Sequence, residues 1–331
     1  MSIARFSRFC VLPALLLWAD IAWSGWHEVT EPIMGTRVHA ELYSEDEVRG
    51  KALLAEVLAE MRRIEAQYSP YIEQSELSRL NREAGQGWVS TTAEMVDLLM
   101  KSSQISRLTG GAFDITHASV GRYYDYREGE RPDDSAIAVA LAAINHEFVE
   151  VDPSQLKVRF THPLVYIDLG GIAKGYAVDR CIELLAAAGI SQASVAAGGD
   201  SRILGDRGGE PWTVGIQDPR QEEMAVLLPL VDTAVSTSGD YERFFEEDGV
   251  RYHHILDPST GDSARASWSV TILGPDATFT DGLSTSVFVL GPERGLALID
   301  RLPGVDAIII DAAGQLRYSA DLLEAALPPA P

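Results

Sequence analysis

Three oxygen-bearing side chains are spaced along one predicted helix so that they can hold a divalent cation. Ser284 and Thr285 follow Asp281 by three and four residues, which places the three side chains on one helical face. Magnesium prefers oxygen ligands, typically one or two carboxylates completed by water and substrate phosphates. A solvated first helical turn has the same pattern, so both interpretations remain open.

A second polar feature lies where a predicted strand turns directly into a predicted helix. Val165 to Leu169 is an apolar run of strand type, and apolar residues recur at helical spacing from Ile172 until Gly189. Gly170 and Gly171 occupy the turn, where free N–H groups of the following helical turn suit a phosphate. A plain tight connection between strand and helix gives the same sequence.

Two adjacent histidines, His253 and His254, follow in a region predicted to be a strand. Neighbouring residues of a strand face opposite sides, so this pair is poorly placed to ligate one metal ion together. One of the two can act as a hydrogen-bond donor or a base, while a structural role is the alternative for either.

The composition limits the classes of partner. A chain of 331 residues with 46% hydrophobic content can bury a large core, either as one large domain or as two merged lobes. The net charge of −22 argues against a nucleic-acid partner, because that affinity depends on Lys and Arg neutralising phosphates. An anionic ligand must therefore be held locally, by backbone amides, a few cations or a metal.

The amino terminus has the pattern of an export signal. Arg5 and Arg8 precede the apolar run from Val11 to Trp18, and Ser24 ends a small-residue cleavage site. We expect residues 1–24 to be the signal, residues 25–331 to form the mature domain, and the protein to be periplasmic; an uncleaved anchor is the alternative. Removal of the signal leaves Cys181 as the one cysteine, on the apolar side of a helix.

The periodicity of the chain favours an α+β fold with mixed, mainly antiparallel sheets and helices packed on them. Strands are predicted over His27 to Thr30 and Thr36 to Tyr43, and a helix of period 3.6 follows from Leu54 to Tyr68. After Gly189 most segments have strand character and are separated by turn residues.

Eight short motifs, taken together, resemble one known family. In chain order they are Pro32-Ile-Met-Gly-Thr36, Ser69-Pro-Tyr71 with Ser75 to Asn81, Gly111-Ala-Phe-Asp-Ile-Thr116, Asp168-Leu-Gly-Gly-Ile-Ala-Lys-Gly-Tyr176, Gly198-Gly-Asp200, Ser236-Thr-Ser-Gly-Asp-Tyr241, His254-Ile-Leu-Asp-Pro-Ser-Thr-Gly261 and Thr280-Asp-Gly-Leu-Ser-Thr285. Their types and order closely resemble the ApbE family of FAD:protein FMN transferases, over roughly residues 28 to 325.

The resemblance implies an exported enzyme that binds FAD in a cleft between two merged lobes. Such an enzyme uses Mg²⁺ to polarise the FAD pyrophosphate and attaches FMN through a phosphoester to a threonine of an acceptor flavoprotein, releasing AMP. The acceptor is expected to be a protein such as a subunit of a membrane redox complex.

The resemblance also implies roles for individual residues. It assigns FAD contacts to Met34, Tyr71, Ala112, Phe113, Asp114, Asp168, Lys174 and Ile255. It assigns the metal to the Gly171 carbonyl, Asp281 and Thr285, with Ser284 nearby, and it places His254 by the pyrophosphate as base or charge stabiliser. Two departures from the family pattern are the segment from His117 to Asp125 and Gly282, where an alanine is common.

Other functional classes remain as alternatives. A non-catalytic flavin-binding protein of the same fold is one, although Asp281, Thr285, Lys174 and His254 are all present. An FAD pyrophosphatase that releases FMN and AMP to water is another. A dinucleotide oxidoreductase lacks support, because no Gly-x-Gly-x-x-Gly motif opens a helix.

Overall fold

The computed structural model describes residues 25–221 and 223–326. The predicted export signal, residues 1–24, lies outside these ranges. Within them, none of the helices combines the length and the apolar character that a membrane span requires.

Helices and strands alternate irregularly along the chain. The described helices are α1 (Glu47–Tyr68), α2 (Glu76–Glu83), α3 (Ala93–Leu108), α4 (Ala118–Gly121), α5 (Asp134–Leu141), α6 (Ala173–Ala187), α7 (Ala277–Ile299) and α8 (Ala320–Ala326), with short 3₁₀ turns at Ala84–Gln86, Ile115–His117 and His146–Phe148. The described strands are β1 (Trp26–Ile33), β2 (Thr36–Tyr43), β3 (Val89–Ser90), β4 (Val149–Asp152), β5 (Lys157–Phe160), β6 (Ala193–Ala197), β7 (Asp200–Leu204), β8 (Trp212–Gln217), β9 (Met224–Leu230), β10 (Ala234–Gly239), β11 (Phe244–Glu247), β12 (Val250–His253), β13 (Leu256–Asp257), β14 (Asp262–Ser263), β15 (Ser267–Gly274), β16 (Asp306–Asp311) and β17 (Leu316–Tyr318).

One large sheet organises the molecule. Its eight strands lie in the order β1-β2-β6-β7-β10-β15-β16-β17, and neighbouring strands are antiparallel. The smaller sheets are β3-β5-β4, β8-β9, β11-β12 and β13-β14. The predicted α+β class with mainly antiparallel sheets is confirmed.

Three long helices pack on this sheet and on one another. α1 contacts β1, β2 and α6, while α6 contacts β6, β7 and α7, and α7 also covers β10, β15 and β16. Three hydrophobic clusters are found among the described residues: the largest includes α1 and α6, a smaller one lies between α7 and strands β15 and β16, and a third joins α4, α5 and β13.

The sequence pattern explains the helix starts. Asp46, Thr92 and Asp276 each accept a hydrogen bond from a backbone N–H of the first turn, at the starts of α1, α3 and α7. Cys181, on the inner face of α6, is fully buried, as predicted, and its thiol faces the Val57 carbonyl at 3.6 Å.

The prediction of a strand at residues 165–169 is wrong. This segment has no strand partner among the described residues. Its N–H groups are bonded by scattered groups instead: Asn81 Oδ1 accepts from Ile167 at 2.8 Å, Ser119 Oγ accepts from Tyr166 at 3.0 Å, and the Ile115 carbonyl accepts from Asp168 at 2.9 Å. Since side chains from distant helices replace a neighbouring strand, the apolar run alone could not distinguish the two arrangements.

Candidate active site

The site is built where the first turn of α6 crosses the start of α7. Gly175 makes the crossing possible, because a Cβ at this position would overlap the Ala277 carbonyl and lie 2.8 Å from Asp281 Cβ. The close approach sets Lys174 of α6 beside Asp281 of α7, with 3.6 Å between the ammonium nitrogen and Oδ2.

Asp281 is a buried carboxylate with few hydrogen bonds. Its exposed fraction is 2%, and Oδ2 accepts one hydrogen bond, from the Gly175 N–H at 3.0 Å. No hydrogen-bond donor of the described residues reaches Oδ1. Burial, and then the nearby Asp200 carboxylate, raise the pKa of Asp281, while Lys174 opposes the rise. A solvated first turn, the alternative left open by the sequence, is therefore excluded.

Lys174 is held mainly by Asp200, the first residue of β7. Lys174 Nζ lies 2.5 Å from Asp200 Oδ2, and the Asp200 side chain is 2% exposed whereas that of Lys174 is 29% exposed. The two carboxylates Asp200 and Asp281 raise the pKa of Lys174 against the effect of burial, so the side chain carries its charge. The ammonium group is thus anchored by protein carboxylates, while the side chain as a whole remains partly exposed.

Hydroxyl oxygens gather one helical turn beyond Asp281. Ser238 Oγ on β10 lies 2.8 Å from Ser284 Oγ and 3.4 Å from Thr285 Oγ1. Thr285 also faces the glycine turn before α6, since a Cβ on Gly171 would lie 3.3 Å from Thr285 Oγ1 and 3.2 Å from the Phe113 ring. Gly171, Phe113 and Thr285 thus lie close together.

The adjacent histidines occupy different environments. His253 is buried, and its ring contacts the Ala264 carbonyl at 2.7 Å through Nε2 and the Ile255 N–H at 3.3 Å through Nδ1. His254 is half-buried, and its Nδ1 is shielded from solvent without a hydrogen-bond partner in the described part of the chain. The His254 N–H donates to the Arg243 carbonyl at 3.2 Å.

His254 is neutral near pH 7. Burial is the main cause, and His253, Arg243 and Lys174 add positive potential, so that the pKa of His254 is lowered to about 3. A neutral imidazole with an unpaired nitrogen can accept a proton, which a charged imidazolium cannot.

An aromatic cluster surrounds Arg122. Arg122 packs over the rings of Tyr123 and Tyr166, at 4.9 and 5.1 Å from the ring centroids. The pKa of Tyr166 is raised, first by burial and then by the Asp168 carboxylate. Tyr71 also raises the pKa of Tyr166. Because Tyr71 is 82% exposed, its ring is free to stack on a flat ligand.

Other residues implied by the resemblance are held by contacts within the protein. Ala112 and Asp114 are buried, and Asp114 accepts from Thr116 N and Oγ1 and from His146 N at 2.6 to 2.8 Å. This carboxylate thus caps the 3₁₀ turn Ile115–His117.

The backbone accounts for the remaining implied contacts. Ile255 is 6% exposed within the smaller hydrophobic cluster, and its carbonyl accepts from Ala264 N. Met34 forms a two-residue turn with Gly35 between β1 and β2, with φ values of 57° and 69°. Glu65 Oε1 accepts from Met34 N at 2.9 Å and so fixes this turn against α1. Asp168 Oδ1 likewise accepts from Gly170 N at 2.6 Å.

The donor set around Asp281 fits a hard divalent cation. It offers a carboxylate oxygen without a described donor, two hydroxyl oxygens at helical spacing, and the glycine turn beside Thr285. Among the described residues a second group of candidate ligands exists on the outer face of β1 and β2, where ligand atoms of Glu28, His39 and Glu41 lie within 4.8 Å of one another. Glu41 is already paired with Arg207 at 2.6 Å.

Three contributors to the site had no assigned role in the sequence. Asp200 and Ser238 occur within recognised motifs, so their positions were marked, but their partners Lys174 and Thr285 lie far away in sequence. Arg243, beside His254 and the Met34–Gly35 turn, carried no local signal at all.

Comparison with known proteins shows that the chain belongs to one family. The model of the ApbE family matches residues 34–309. A FAD:protein FMN transferase of Treponema pallidum is 33% identical over 314 residues, covering 89% of this chain and 87% of the relative. One from Vibrio cholerae is 32% identical over 278 residues, covering 81% and 83%.

Solved structures are similar over nearly the whole fold. The ApbE protein of Thermotoga maritima has a TM-score of 0.84 at 36% identity, covering 90% of this chain and 98% of that one. The flavin transferase ApbE of Vibrio cholerae has a TM-score of 0.80 at 28% identity, with 90% and 98% covered.

Proposed function

Because the chain belongs to the ApbE family, it is a flavin transferase enzyme, and we propose that it moves FMN from FAD to a threonine side chain of an acceptor flavoprotein. The products are an FMN phosphoester on the acceptor and free AMP. A membrane redox complex is the proposed source of the acceptor subunit.

One observation carries this proposal: Asp281 is buried with an unbonded oxygen beside hydroxyl groups, a lysine and a neutral histidine. Burying a carboxylate whose oxygens lack hydrogen-bond donors costs free energy of folding. The presence of such a carboxylate at this position therefore favours a role in ligand binding. The set contains a site for a cation, a cation for a phosphate, and a proton acceptor, which together are what phosphoryl transfer needs.

In the proposed step the threonine hydroxyl oxygen forms a bond to the FMN phosphorus. The bond from that phosphorus to the bridging oxygen breaks, and AMP leaves with this oxygen. The threonine proton passes to His254, whose imidazole is neutral near pH 7 and can therefore accept it.

The chain also supplies the charge that FAD requires. Asp281, Thr285 and the Gly171 carbonyl, with Ser284 nearby, would hold Mg²⁺, which supplies Lewis-acid stabilisation of phosphate charge when bound. Lys174, whose side chain is 29% exposed, would donate to a phosphate oxygen. Local cations of this kind explain how an anion binds to a chain of net charge −22.

Binding of the flavin follows from the same arrangement. Tyr71 offers an exposed ring for stacking, and the Phe113 ring borders Gly171. We therefore propose that the isoalloxazine binds near these two rings and that the pyrophosphate binds near the start of α7.

The test is an assay with FAD and Mg²⁺, with and without an acceptor fragment that contains a threonine. We expect AMP release and, by mass spectrometry, covalent FMN on the acceptor. An acceptor variant in which the threonine is replaced by valine is the matched control and should stay unmodified. AMP release without covalent flavin would instead identify a pyrophosphatase, and neither product would identify a flavin-binding protein.

We further propose that the enzyme acts in the periplasm after export directed by residues 1–24. The support is the charged, then apolar, then small-residue pattern of this segment. Mass spectrometry of the protein from the cell envelope should give an amino terminus close to Gly25. Full-length protein recovered from the cytosol would contradict the proposal.

A further inference from the structure

Three charged groups lie in a row at the crossing of α6 and α7. Lys174 Nζ is 2.5 Å from Asp200 Oδ2 but 3.6 Å from Asp281 Oδ2. Both carboxylates are buried, at 1% and 2% exposure. Both distances lie within the range of an ion pair, but the lysine is closer to the carboxylate outside the proposed metal site.

We propose that Asp200 is a positioning residue that holds Lys174 away from Asp281 and thereby keeps the Asp281 carboxylate available to a divalent cation. The inference rests on the proposed function, because it takes Asp281 as the metal ligand. Asp200 would affect metal binding through Lys174, without contacting the metal itself.

The reason is competition for one carboxylate. An ammonium group and a divalent cation are both attracted to Asp281, and an ammonium group that moves closer to the carboxylate competes more strongly with the metal. If the Asp200 charge is removed, Asp281 is the nearest remaining carboxylate to Lys174. The ammonium group would then form a direct ion pair that an entering metal must break.

The rigidity of the surroundings supports this role. Asp200 begins β7 and pairs with both Ala197 of β6 and Ser236 of β10, so its backbone is fixed within the large sheet. Gly199, just before it, has no room for a side chain, because a Cβ would overlap the Thr237 carbonyl. A carboxylate whose backbone is fixed in this way can hold a flexible lysine side chain in one position.

The experiment measures the binding of Mn²⁺ alone, from the electron paramagnetic resonance signal of free Mn²⁺, to the full chain without FAD. D281N serves as the reference that identifies the site. We expect D200N to weaken binding by about tenfold, the usual range for coupled neighbouring groups. K174M should bind at least as tightly as the wild type, and the double variant D200N/K174M should return to within a few-fold of it.

Matched variants separate positioning from general effects. D240N also removes a buried carboxylate that is paired with a cation, Arg220 at 2.5 Å, and it should leave Mn²⁺ affinity unchanged. If D200N does not fold, as judged by circular dichroism, D200S takes its place in the same comparison.

The outcomes are distinct. Wild-type affinity in D200N, or a double variant as weak as D200N, would overturn the role of Asp200 while the proposed metal site stands. If wild type and D281N bind Mn²⁺ equally, the metal site itself is wrong, and the inference falls with it.

Discussion

Two successive turns of α7 each contain a buried carboxylate contact, and the two differ in how fully the carboxylate is bonded. At the first turn Asp179 of α6, 5% exposed, accepts from Ala277 N, Thr278 N, Thr278 Oγ1 and Arg202 at 2.5 to 2.8 Å. At the next turn Asp281, 2% exposed, accepts one hydrogen bond, from Gly175 N.

Both carboxylates are buried, but they accept different numbers of hydrogen bonds, so we assign them different roles. Asp179 satisfies the free N–H groups at the start of α7 and joins it to α6, so it is structural. Asp281 retains binding capacity that the protein does not use. Saturation of hydrogen bonds, rather than burial or residue type, separates the structural carboxylate from the proposed metal ligand.

The same contrast recurs in the histidine pair. Both ring nitrogens of His253 contact backbone groups, whereas Nδ1 of His254 has no partner within the described ranges. In both pairs the unsaturated member belongs to the proposed site.

The largest expected effect comes from D281N, which keeps the shape of the side chain and removes its charge. FMN transfer should fall about a thousand-fold, because the Lewis acid stabilises transition-state charge by several kcal/mol. The thermal midpoint should not fall, since a poorly bonded buried charge is lost. AMP release at saturating Mg²⁺ and circular dichroism are the measurements, and a folded variant of near wild-type rate would contradict the contrast.

D179A should produce the opposite phenotype. Removal of a carboxylate with four bonds leaves the start of α7 and Arg202 unpaired, which should lower the free energy of unfolding by about 3 kcal/mol. Urea denaturation gives this value. A variant as stable as the wild type would show that saturation does not identify a structural group.

H254N tests the histidine pair through pH. The pKa of His254 is lowered to about 3 in the folded protein. At pH values below the pKa of this histidine in the unfolded chain, the unfolded chain therefore binds a proton that the folded chain does not. Stability from neutral His254 is therefore present above that unfolded pKa and is lost as pH falls. Between pH 7 and pH 5 the wild type should lose about 1 to 2 kcal/mol more than H254N. Parallel losses in both proteins would argue against a neutral, shielded imidazole.

The smallest expected effect comes from T278V, which removes one of the four bonds to Asp179. The substitution preserves shape, so stability should fall by only about 1 kcal/mol. Transfer activity should be unchanged at temperatures where the protein is folded. A large loss of activity would mean that the two turns of α7 do not act separately.

The sequence predicted the individual helices and strands better than the contacts between them. Periodicity indicated the helix from Leu54 to Tyr68 and the strand from Thr36 to Tyr43, because these patterns are local. The burial of Asp281 was not predictable, since it depends on Gly175 letting two helices touch across 106 positions of sequence.

Gly282 shows the same limit. In the sequence it is a residue that weakens a helix, whereas in the fold a Cβ there would lie 2.6 Å from Ile105 Cδ1 of α3. A side chain at this position would therefore require Ile105 to shift, which is a contact between helices that the sequence does not reveal. The motifs marked Asp200 and Ser238, but only the fold shows that they hold Lys174 and Ser284.

The most direct test of the account is a crystal soaked with Mn²⁺ in place of Mg²⁺, with the ion located by its anomalous scattering. We predict a peak about 2.2 Å from the Asp281 carboxylate and the Thr285 hydroxyl, and its loss in D281N crystals. A peak at Glu28, His39 and Glu41 with none at Asp281 would contradict the assignment of the unsaturated carboxylate as the metal ligand.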